Sequence, residues 1–125
     1  MTNLDKFTQA YIEAALWSSV DDDGTPLDSN YGREDLAPET LAKMVEDCAK
    51  FQEDNAEIIT GCAREGGEYT EDERAGHDFW LTRNGHGAGF WDGDWPEHGE
   101  ELTKASKRFG EVDLYVGDDG MIYSA

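Results

Sequence analysis

The sequence predicts an α+β domain of order ααββαββ, in which two N-terminal helices precede an antiparallel sheet of two hairpins with a helix between them. Three observations predict it. Apolar residues recur at helical spacing through most of the first half. Asn84-Gly85 stands between two aromatic-rich runs, as a type I′ hairpin turn requires. Gly117-Asp118-Asp119-Gly120 separates two short stretches rich in β-branched and aromatic residues near the C-terminus.

Residues 4 to 17 form the first expected helix, because Leu4, Phe7, Tyr11 and Ala14 share a face that Ile12, Ala15 and Leu16 widen. The stretch Asp21 to Gly32 gathers Asp, Gly, Pro, Ser and Asn, which favour turns, and reads as a long loop. Pro38 suits the first turn of a second helix. Its apolar stripe of Leu41, Met44, Val45, Cys48, Phe51, Ile58, Ile59 and Cys62 runs to about Arg64, where Gly66 and Gly67 stop it. Tyr69 to Arg74 reads as a short acidic turn.

The first hairpin is expected from His77 to Arg83 and His86 to Asp92 around Asn84-Gly85. That register puts Phe79 opposite Phe90 on one side and leaves Trp80 and Trp91 on the other. Both faces are then apolar, so the hairpin is either covered twice or offers an aromatic surface to a partner. Trp95-Pro96 ends the strand, and Glu97 to Phe109 resumes a helical pattern through Leu102, Ala105 and Phe109, closed by Gly110. Val112 to Val116 and Met121 to Tyr123 make the last hairpin. At 125 residues the whole chain, 1–125, is about one ordinary domain.

Charge sets the functional frame. The chain carries 29 acidic and 10 basic side chains, a formal charge of −19. Residues 1–62 hold 14 acids and 4 bases, and residues 63–125 hold 15 and 6, so the two halves carry −10 and −9. Acidity is a property of the whole body rather than of a tail. Self-repulsion in such a globule is expected to raise carboxylate pKa values and to make salt stabilising. Direct binding of DNA or RNA is the function the composition most nearly excludes, because phosphate contacts need clustered Lys and Arg. The nearest approach to such a cluster is Lys104, Lys107 and Arg108.

Cys48 and Cys62 lie on one expected helix, where 14 residues rise about 21 Å. Disulfide geometry needs Cα atoms within about 7 Å, so the two read as buried thiols of a reducing compartment. No basic leader or long apolar run marks a membrane segment, and the expected setting is cytoplasmic.

Site chemistry is sparse. His77, His86, Asp92 and Asp94 have no helical i, i+4 or strand H-x-H spacing, so no metal site is expected. Asp21-Asp22-Asp23-Gly24 lies between helices, but placing Gly24 at the sixth position of a calcium loop puts Ser19 first and Asn30 where the bidentate Glu belongs. No nucleophile elbow or phosphate-cradling glycine loop is present, so no enzyme and no cofactor are expected.

The run HDFWLTRNGHGAGFWD, His77 to Asp92, followed by VDLYVGDDGMIY, Val112 to Tyr123, resembles small, acidic, functionally uncharacterised proteins of bacteriophages and mobile elements. The likeness covers about half the chain. It implies a setting, a phage-borne accessory protein in a bacterial host, and assigns no residue a role. Setting and charge together point to inhibition of a host nucleic-acid-binding defence factor, of the anti-CRISPR or anti-restriction kind, by carboxylates standing in for phosphates. The expected partner is a basic host protein or nucleoprotein complex. The expected contact residues are Asp21, Asp22 and Asp23 in the loop, Glu46, Glu53, Asp54 and Glu57 on the second helix, and Trp80 and Trp91 on the hairpin. Two alternatives remain: a small-molecule or metal binder using the aromatic hairpin, and a structural or regulatory phage protein.

Overall fold

The computed structural model describes residues 5–21, 23–59, 71–84 and 99–124. Within them the fold is mostly helical. Four helices, α1 (Lys6–Ser18), α2 (Pro38–Ile59), α3 (Glu71–Arg83) and α4 (Gly99–Lys107), are followed by a two-stranded antiparallel sheet of β1 (Leu114–Val116) and β2 (Ile122–Ser124). Two short 3-10 turns, Leu27–Ser29 and Arg33–Asp35, join α1 to α2.

The expectation of a four-stranded sheet of two hairpins is therefore wrong. His77 to Arg83, expected as its first strand, lies inside α3, and Glu71 to Arg74, expected as part of a turn, begins that helix. The reason is burial. Ala75, Gly76 and every residue from Asp78 to Arg83 are buried, so α3 is enclosed on several sides and lacks the one-sided apolar stripe by which helices are recognised. Asn84 ends the helix rather than opening a turn between strands. Its amide Nδ2 donates to the Trp80 carbonyl at 3.0 Å, capping the last turn, and its Oδ1 accepts from the Val112 N–H at 2.7 Å. Gly85 and the expected second strand, His86 to Asp92, lie outside the described residues.

Helix α1 starts where Asp5 accepts the Thr8 N–H at 2.8 Å, satisfying one of the donors a helix N-terminus leaves without an intrahelical partner. It packs most extensively on α3. Gly76 permits that approach, because a Cβ there would overlap the Phe7 carbonyl. One hydrophobic cluster then draws on all four helices and the sheet: Phe7, Tyr11 and Ala15 from α1, Met44, Cys48 and Phe51 from α2, Phe79 and Trp80 from α3, Leu102 from α4, and Leu114 and Ile122 from the sheet. Phe51 and Phe79 stack at 4.1 Å between centroids, and Phe109 meets Phe79 edge-on at 5.1 Å.

The C-terminal hairpin forms where the sequence expects it. Tyr115 pairs with Tyr123, and Gly120 supplies the positive φ of +81° that its turn needs. The Ala37 N–H donates to the Ile122 carbonyl at 3.0 Å, which ties the hairpin to the entrance of α2.

Candidate interaction surface

The core encloses a buried ionic group built on Arg83. Arg83, 3% exposed, donates through Nη1 to Asp47 Oδ2 and to the Tyr11 hydroxyl, both at 2.9 Å. Its Nε and Nη2 reach the carbonyls of Gly110 and Phe109 at 2.8 Å, and the guanidinium lies 5.5 and 5.6 Å from the ring centroids of Phe79 and Phe109. Lys43 donates to the other Asp47 oxygen at 2.9 Å. This network joins α1, α2, α3 and the exit of α4. Burial pushes the Tyr11 phenol and the Cys48 thiol far above their ordinary values, so both stay protonated near neutral pH. A protonated, interior thiol is a poor nucleophile.

The sequence-expected contact residues divide three ways. Glu46, Glu53 and Asp54 are exposed on α2, although Lys50 pairs with Asp54 at 3.4 Å and partly neutralises that face. In the loop, Asp23 is exposed while Asp21 is half-buried, its carboxylate accepting the N–H groups of Asp23 at 2.9 Å and Thr25 at 3.0 Å. A bridge between Val20 and Pro26 closes this turn, and Gly24 takes a φ of +82° within it. Asp22, Trp91 and the side chain of Glu57 lie outside the described residues.

Trp80, expected at the surface, is buried. It is 1% exposed, meets Tyr11 edge-on at 5.4 Å, and donates its indole N–H to Ser18 Oγ at 2.7 Å. A helix in the core replaces the expected aromatic hairpin face, and Trp80 offers nothing to a partner.

An aromatic surface exists elsewhere. Trp17, near the end of α1, is 58% exposed, and its ring lies 6.0 Å from that of His77 on α3. With Tyr31 these rings line an open groove of about 790 Å³ between α1, α3 and the 3-10 connector. Glu13, Asp28 and Glu34 also line it, against Arg33. Sequence reasoning passed over Trp17, although a signal was present: Trp17 follows Glu13 by four residues, so both share the polar side of α1. A second concavity of about 520 Å³, bounded by α2 and α4, carries both signs through Lys50, Asp54 and Arg108.

Among the described residues no three His, Cys, Asp or Glu side chains gather closely enough to hold a metal ion, and no helix is long and apolar enough to cross a membrane. No family model, curated protein or solved structure matches the chain.

Proposed function

We propose that this chain is a phage-encoded accessory protein of the bacterial cytoplasm that binds and inhibits a basic, nucleic-acid-binding host defence factor, of the anti-CRISPR or anti-restriction kind. Its carboxylates would occupy positions that nucleic-acid phosphates otherwise take. The distribution of charge carries the reading. The chain carries a formal −19, and among the described residues only Asp47 and Asp78 are buried carboxylates, so the remaining described carboxylates reach the surface of a packed body. Such a surface gives fast, salt-sensitive association with basic grooves and repels nucleic acid itself.

Affinity capture from bacterial lysate, eluted in steps of increasing salt and identified by mass spectrometry, tests it. The expected partner is a nucleic-acid-binding protein that leaves the column at moderate salt and is displaced by added DNA or RNA. A partner retained through high salt and indifferent to nucleic acid would refute electrostatic mimicry.

A further inference from the structure

The groove beside Trp17 is concave, aromatic and negatively charged, and that combination specifies a ligand. Its three carboxylates, Glu13, Asp28 and Glu34, take part in no ion pair among the described residues, and Arg33 is the groove's one Lys or Arg among the lining residues described. Three carboxylates against one guanidinium give the described lining a formal charge of −2, histidine left out of the count. Trp17 leaves more than half its area to solvent in that field. An exposed indole face attracts cations through its quadrupole, and carboxylates strengthen the attraction.

We propose that this groove receives an arginine side chain from a basic segment of a protein partner, with its guanidinium on the Trp17 ring and its N–H groups directed to the surrounding carboxylates. The proposal rests on the reading of a basic partner and adds where that partner is gripped. Arginine fits better than lysine because its planar fork both stacks on an aromatic face and meets a carboxylate with two parallel hydrogen bonds. The molecule uses the same chemistry internally, where Arg83 lies over Phe79 and Phe109 while donating to Asp47. Trp17 and His77, 6.0 Å apart and inclined at 35°, form one wall rather than a slot, since a planar group between two rings needs about 7 Å, twice the van der Waals contact distance. The guanidinium accordingly lies on the open face of the indole. Aromatic residues and arginine are also the side chains that most often dominate binding at protein interfaces.

The probe is a fluorescent eight-residue Gly/Ser peptide bearing two arginines, compared at fixed salt with peptides carrying lysine or neutral citrulline at the same places. The 125-residue chain is expected to bind the arginine peptide best and the citrulline peptide least. Trp17→Leu, which keeps apolar bulk at an exposed position, should weaken arginine binding about fivefold or more, and Trp17→Phe should restore part of it. Glu13→Gln combined with Asp28→Asn and Glu34→Gln should weaken it further. Neutralising the same number of exposed carboxylates outside the groove lining, with Glu100→Gln, Glu111→Gln and Asp118→Asn, should change it less than twofold. Equal loss from that control, or no loss from Trp17→Leu in a protein with an unchanged melting curve, would overturn the groove. The two proposals separate in the captured complex. Salt-sensitive binding of the host protein that ignores Trp17→Leu refutes the groove and leaves polyanion mimicry standing. Groove-dependent binding that nucleic acid does not compete supports the groove and refutes mimicry.

Discussion

Arg83 is the side chain on which four segments converge, and its role was hidden in the sequence because its partners are distant. Asp47 is 36 residues away and Tyr11 is 72. Nothing in the local pattern around Thr82-Arg83-Asn84 distinguishes a buried guanidinium from an ordinary basic residue before a turn. Removing it leaves Asp47 7% exposed with only Lys43 beside it. Arg83→Ala is expected to cost about 3–5 kcal/mol in chemical denaturation, the usual penalty for stranding one member of a buried ion pair. Arg83→Lys should recover only part of this, since an ammonium cannot reach Asp47, Tyr11 and two carbonyls together. Asp5 shows the opposite case, a role legible locally as an acid at a helix start. Partial burial raises its pKa, but hydrogen bonds from Thr8 and Gln52 outweigh that and hold the carboxyl below its ordinary value of 3.8. A carboxyl held low stabilises the fold above the ordinary carboxylate range and loses that contribution as pH falls through its folded pKa. Asp5→Ala should therefore cost about 0.5–2 kcal/mol at neutral pH, and the gap to the parent should narrow in titrations taken below pH 4.

Helices α1, α2 and α4 and the C-terminal hairpin were legible because each buries one face and exposes another. The connector was legible only as a loop; its 3-10 turns are held by tertiary contacts, with Leu27 and Leu36 planted in the core. Helix α3 was illegible for the reason given by its surroundings: Phe79, Trp80 and Leu81 are all interior, so burial is nearly continuous along it. The aromatic, β-prone residues before Asn84-Gly85 then read as a strand, and tertiary enclosure overrode that local preference. Gly76 marks the true element. Gly76→Ala should destabilise the fold by about 1–3 kcal/mol or more, because the new methyl meets backbone at Phe7 rather than a side chain able to swing away. Were the segment a strand on a sheet surface, the same change would be nearly silent. The loss of Trp80 from the candidate surface and the gain of Trp17 follow from this one change of element.

At the scale of the molecule, the described carboxylates other than Asp47 and Asp78 reach the surface, and the energetic effect of their charge is a balance. Self-repulsion was expected to raise carboxylate pKa values. Asp5 and Asp119 instead sit below theirs, the latter chiefly through the hydrogen bond from the Tyr123 hydroxyl at 2.6 Å. At these positions directed hydrogen bonds outweigh the diffuse field. The field still acts on the body at large, so raising ionic strength from about 0.01 to 0.15 M, which shortens the screening length from roughly 30 to 8 Å, should raise the melting temperature. A flat response would mean that counterions and solvation already neutralise the repulsion.

The arrangement that buries Arg83 also has a kinetic consequence. Helical proteins that fold in microseconds do so because their contacts are local, and this one spends its defining contacts on distant pairs. Trp80 reaches Ser18 across 62 residues, Arg83 reaches Tyr11 across 72, and the last strand docks on the entrance of α2. Most of the apolar face of helix α1 therefore stays uncovered until α3 has been synthesised and has found it. Stopped-flow refolding should place this protein among mixed α/β domains, slower than the microsecond-to-millisecond range of helical bundles rich in local contacts. During that wait its dense negative charge has a second use, keeping unfinished chains apart while their aromatic surfaces are still exposed.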